Sequence, residues 1–107
     1  MSPAFQAVSI VALPAKVYGA EEFRYLTDAI PATLSTHLAQ VNGLDTKVPP
    51  TSFAFEQVKG DVQRIAEAYR VSACVLSSVS VERERLVLDL QLVEPRTRRV
   101  RWSKQYV

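Results

Sequence analysis

The sequence predicts a mixed α/β (α+β) domain. The expected form is a five-stranded sheet in the element order β-α-β-α-β-β-β, with strand order 2-1-3-4-5 and both helices on one face. Three observations carry this. A near-continuous apolar run, "QAVSIVALP", opens the chain as a buried strand does. Two later stretches repeat their apolar residues every three or four positions, the period of a helix. From "SACVLSSVSV" onward the period falls to two, the alternation of a half-buried strand.

The opening run stops at Pro14, and "AKVYGA" after it reads as a loop. Over residues 21–41, Phe23, Leu26, Ile30, Leu34, Leu38 and Val41 form a helical stripe, and Glu21 and Glu22 suit its positive end. Pro31 lies inside that pattern without an N–H, which predicts a kink or a break there, or a restart with Pro31 in a first turn. "NG" at 42–43 ends the helix. "LDTKVPP" reads as a short edge strand closed by prolines, because proline cannot donate to a ladder. "TSFAFEQVKG" is the least regular region, with Phe53 and Phe55 expected to anchor it to the core. Asp61 is the expected cap of a second helix, whose stripe is Val62, Ile65, Ala66 and Tyr69. In "LVLDLQLV" the leucines face one way, with Asp89 and Gln91 on the other side. The closing strand is expected to set Val100, Trp102 and Tyr106 opposite Arg99, Arg101, Ser103 and Gln105. Two right-handed crossovers followed by a meander produce the strand order.

A chain of 107 residues makes one domain, residues 1–107, with enough buried surface for a core that needs no staples. Its apolar runs are too short to span a bilayer, which takes about 20 residues. No basic segment precedes the first apolar run, so the start does not read as a signal peptide. Cys74 stands alone in an apolar stretch and is expected to be a small buried hydrophobe.

The chemistry of a catalyst is missing from the pattern. His37 is the one histidine, and it lies beside the first helix's apolar stripe as a partly buried or boundary residue. No histidine or cysteine spacing suits a metal, and the three glycines are too scattered to cradle a phosphate. The carboxylate pairs Glu21–Glu22 and Glu82–Glu84 lie in solvated segments. The sequence therefore predicts a non-enzyme with no cofactor and no metal.

Charge is uneven. Residues 1–95 carry eight basic and eleven acidic side chains, whereas residues 96–107 carry five basic and none acidic. Arg96, Arg98, Arg99 and Arg101 are the candidate interaction surface. Three readings stand: a solvated edge that discourages edge-to-edge pairing, a docking surface for an acidic protein partner, and a grip on nucleic acid or anionic membrane. The expected alternation, with Trp102 and Tyr106 turned into the core and away from the arginines, weighs against nucleic acid.

"IVALP", "EFRYLTDAIPATL", "TSFAF", "DVQRIAEAYRVSACVLSSVSV", "ERLVLDLQLVE" and "RWSKQYV", in that order, resemble the TolB amino-terminal-like domain family. The segment Thr51–Phe55 and the closing Trp102, Ser103 and Tyr106 carry most of the likeness. Arg70, Arg83 and Arg98 stand where glycine is usual in that family, which predicts altered turns. The resemblance implies a non-enzymatic protein-interaction or signal-relay module of a bacterial regulatory or envelope protein, part of a longer polypeptide and periplasmic or extracytoplasmic. The alternative is a small-ligand sensor with a pocket between helices and sheet, near Pro31 and the "TSFAF" segment.

Overall fold

The computed structural model describes residues 8–107; the first two residues of the predicted opening strand, 6 and 7, lie outside them. The strands are β1 (Val8–Ala12), β2 (Lys16–Tyr18), β3 (Leu44–Thr46), β4 (Ala73–Glu82), β5 (Arg85–Glu94) and β6 (Arg99–Tyr106). The helices are α1 (Leu26–Leu38), α2 (Ser52–Gln57) and α3 (Val62–Tyr69), and a short 3-10 turn at Glu21–Phe23 precedes α1. The sheet runs β3-β1-β4-β5-β6, the predicted order, and β2 adds a sixth strand against β4. β1 is parallel to both β3 and β4, while β4, β5 and β6 form the antiparallel meander.

The "AKVYGA" stretch is thus partly strand rather than wholly loop. β1 pairs Ala12 with Val75 and β2 pairs Lys16 with Ser78, so four steps along the first segment match three along β4. The extra residue is a bulge around Pro14, where an N–H would otherwise be wanted. Ala15, just past the break, sends its N–H to the Thr27 carbonyl at 2.9 Å instead of to the sheet. That carbonyl is free because Pro31, four residues further along α1, has no N–H to offer it. The expected break at Pro31 therefore does not occur. α1 runs unbroken through the proline, and the interruption lies earlier, between the 3-10 turn and Leu26.

The two helical layers lie on opposite faces of the sheet, which corrects the single-face expectation. Ile10, Ala12, Ala73 and Val75 form one buried cluster, under Leu34 and Leu38 of α1. Val11, Leu13 and Cys74, on the alternate face, pack with Ile65 and Ala66 of α3 and with Phe55 and Val58. Handedness requires this. The crossover from β1 to β3 and that from β3 to β4 run in opposite directions across the sheet, and right-handed crossovers taken in opposite directions occupy opposite faces. Each fully buried aliphatic contributes roughly 1.5–3 kcal/mol.

"TSFAFEQ" forms α2 instead of an irregular loop. Thr51 Oγ1 accepts the Ala54 N–H at 3.0 Å, and the Asp28 carboxylate accepts the N–H and hydroxyl of Ser52 at 2.9 and 3.1 Å. Phe55 reaches the core as expected, but Phe53 is 70% exposed. Asp61 caps α3 as predicted, accepting from the N–H groups of Gln63 and Arg64. His37 is exposed on α1 rather than at the boundary of the core.

Arg70, Arg83 and Arg98 all take left-handed backbone, with φ of 55°, 54° and 59°. The turns expected to change have kept the geometry that favours glycine, and arginine adopts it at an expense of about 1 kcal/mol each. Tight turns follow: two residues join Glu82 to Arg85, and the Arg98 N–H bonds the Glu94 carbonyl at 2.8 Å.

Two expectations follow from the core. Pro31 is among the largest fully buried side chains, so Pro31→Ala should lower stability by about 1–2 kcal/mol, opposite in sign to removing a proline from an ordinary helix interior; urea denaturation measures it. Burial pushes the Cys74 thiol from 9.0 up to about 11. A raised folded-state value means that Cys74 contributes its full stability below pH 9 and loses it as pH climbs towards 11, by up to about 2–3 kcal/mol. The stability gap between wild type and Cys74→Ala should accordingly narrow over that range in chemical denaturation.

Candidate interaction surface

The far end of the meander holds the four candidate arginines. Arg96 and Arg98 lie in the β5–β6 turn after Pro95, and Arg99 and Arg101 open β6. The structure brings them to one end of the hairpin, all exposed. Arg98 also lines a hollow of about 300 Å³ beside Asp61 and Gly60, at the start of α3. Arg101 Nη1 meets Glu94 Oε1 at 3.0 Å. That half-exposed pair is worth less than about 1 kcal/mol and serves chiefly to hold Arg101 in place.

β6 departs from strict alternation. Val100 pairs with Val93 but Trp102 pairs with Leu92, so Arg101 is an extra residue at a bulge. The slip moves everything after it across the sheet. Trp102, Lys104 and Tyr106 share the face of Leu88, Leu90 and Leu92, and Arg99, opposite Glu94, belongs to that face too. Val100, Ser103 and Gln105 occupy the other face, where the Gln105 side-chain amide donates to Asp89 Oδ1 at 2.9 Å. The predicted opposition of aromatics and arginines is therefore wrong, as is the grouping of Val100 with Trp102.

Nor do the aromatics enter the core. Trp102 is 45% exposed and Tyr106 42%, with Leu86 of β5 at 46%; every residue of β6 is exposed. α1 covers the part of this face built by β1 and β4 and extends to Leu92, leaving the outer part of β5 and β6 bare. Lys104 Nζ lies 5.0 Å from the centre of the Tyr106 ring, a cation–π contact in the open. The result is a surface of mixed cations and aromatic rings along an edge strand.

A second concavity, about 670 Å³ and open, lies on the α2–α3 face. Lys16, Tyr18, Phe55, Lys59, Ser78 and Asp89 are among the residues around it. It lies between helices and sheet as the ligand-sensor alternative expects, and it meets the "TSFAF" segment through Phe55, but Pro31 does not line it. Those residues contain no cluster of potential metal ligands and no helix long and apolar enough to cross a membrane.

The same fold occurs in bacterial proteins of known structure. Lipoprotein GNA1162 of Neisseria meningitidis superposes with a TM-score of 0.65 at 15% identity, over 92% of this chain and 78% of its own. The LpoB C-terminal domain of Escherichia coli gives 0.61 at 16%, over 98% and 84%. TolB of Acinetobacter baumannii gives 0.57 at 12% over 95% of this chain, which spans 23% of TolB. Such identities show a shared fold and nothing finer. No family model and no curated protein matches the sequence.

The exposure of Trp102 has a measurable consequence. Trp102→Ala should lower stability by no more than about 1.5 kcal/mol, against about 3–5 kcal/mol for a tryptophan in a packed core. Thermal denaturation of the two proteins decides between the placements.

Proposed function

We propose that the domain is a non-enzymatic protein-interaction module of a bacterial envelope protein, with β6 and the β5–β6 turn as its contact surface. The observation that carries this reading is the last strand itself: an edge strand, exposed along its whole length, bearing uncompensated positive charge beside aromatic side chains. Tryptophan, tyrosine and arginine are the residues that dominate protein interfaces. An edge whose only purpose was to repel other strands would gain nothing from an open Trp102 and Tyr106.

The fold supports an envelope setting, since it is shared with a lipoprotein and with TolB. Side-chain alternation no longer weighs against nucleic acid, and the choice of a protein partner rests on the tryptophan, tyrosine and arginine of the edge itself. Signal relay is the finer form of the reading, and an extracytoplasmic location goes with it.

Replacing Arg98, Arg99 and Arg101 together by Glu should leave the far-ultraviolet circular dichroism unchanged and abolish capture of a partner from envelope fractions. A variant that captured the same protein as wild type would remove the arginines from the contact surface. Binding that collapsed for an oligonucleotide between low and moderate salt, with no protein captured, would favour nucleic acid instead.

A further inference from the structure

Resting on that reading, we infer that β6 receives an extended acidic segment of the partner protein, which adds to the sheet as its next strand.

The backbone provides the first argument. β6 pairs with β5 on one side and with no other described strand, so its outer row of N–H and C=O groups is available to a new strand. The bulge that commonly blunts such an edge is confined to Arg101. From Trp102 to Tyr106 the register with β5 is regular, which leaves five consecutive residues in good strand geometry, about 17 Å of edge.

Charge provides the second argument and selects the occupant. Residues 96–107 contain five cations and no anion. Arg101 has Glu94 beside it, whereas Arg96, Arg98, Arg99 and Lys104 have no carboxylate within ion-pair distance among the described residues. A second copy of this chain fits poorly. Antiparallel self-pairing along most of β6 sets Arg99, Arg101 and Lys104 of one copy against those of the other, directly or on the diagonal, with no acidic residue on either strand. Like charges in those positions destabilise a sheet. An incoming strand with carboxylates meets the opposite situation.

The register also determines the pattern such a segment carries. Arg99, Trp102, Lys104 and Tyr106 share one face. Side chains of an added strand on that face flank these four, so the favourable sequence has acidic and apolar residues alternating on that face, every second position along the strand.

The probe is a nine-residue peptide, Glu-Thr-Val-Thr-Glu-Thr-Val-Thr-Glu, titrated into the purified domain. Trp102 is the only tryptophan, so its emission reports on β6 directly. The peptide should shift that emission saturably and slow amide exchange from Trp102 to Tyr106. The same peptide with Lys for Glu should bind at least about tenfold more weakly. Two further peptides, N-methylated on alternate residues, keep all the charge but block one or the other row of donors. One of them should lose binding and the other keep it, because a strand offers a single row to its neighbour. The variant Arg99→Glu/Lys104→Glu, changed only at exposed positions, should prefer the lysine peptide.

Absence of binding by the acidic peptide overturns the inference, as does equal binding of both N-methylated peptides, which would mean attraction by charge alone. A Trp102 shift that depends on protein concentration without peptide would identify a second copy instead. Equal saturation by an oligothymidine would identify nucleic acid. If the arginine-to-glutamate variant loses its captured partner while the peptide fails, strand addition falls and the interaction module stands. If capture is unaffected and the peptide also fails, both fall.

Discussion

The handedness of two crossovers organises this molecule. The chain leaves β1 in one direction to reach β3 and returns past it to reach β4, so its helices must divide between the two faces. α1 covers one side of β1 and β4, and α2 with α3 cover the other. No helix remains for the outer meander. β5 is only partly covered, and β6 is left open along its length. The surface with the most functional character therefore exists because the helices are used up on the central strands. It is a product of topology before it is a product of side-chain choice.

Two prolines reinforce that arrangement through one hydrogen bond. Pro14 accompanies the bulge at which the first strand shifts from β1 to β2, and Pro31 leaves a helix carbonyl without its usual donor. The Ala15 N–H fills that vacancy at Thr27. Two features that look like defects when each is taken alone become a joint between strand and helix. Asp28, on the same turn of α1, then holds the start of α2 through Ser52. The short helix and the strand bulge are thereby tied to a single end of α1. This explains how six residues, too few for a stable isolated helix, persist as α2.

The arginine-rich turns show a related division between backbone and side chain. Left-handed residues at 83 and 98 preserve the turn shape that glycine usually supplies, so both hairpin turns stay tight, and Arg70 ends α3 in the same conformation. What changes is the chemistry displayed. Arg98 projects where a glycine would offer nothing, beside Arg96, Arg99 and Arg101. The strain is small and the added charge is concentrated at one end of the sheet. A fold shared at identities of 12–16% with a lipoprotein, LpoB and TolB tolerates this because backbone hydrogen bonds, not these side chains, define the hairpins.

Much of the architecture was legible in the chain. Apolar periods located α1, α3 and the three meander strands; Asp61 marked its helix; and the five main strands fell in the expected order. Burial of Cys74 followed from its neighbours. These are local or nearest-neighbour properties, set by which residues can share a face at a given period. Other features depended on partners distant in sequence. Lys16–Tyr18 becomes a strand because β4, some sixty residues later, lies alongside it, and α2 is held by Asp28 from α1. The placement of Arg101 as an extra residue depends on β5, and that single slip carried Trp102 and Tyr106 onto the same face as Arg99. Periodicity assumes that each residue advances a strand by one step on both sides of a pair. A bulge breaks that assumption, and only the paired strand reveals where. The sequence alone thus determined the fold class, the core strands and the basic end of the chain. Tertiary structure decided which side of the sheet each helix took and that the aromatics lie outside, because both depend on how strands meet rather than on what any one of them contains.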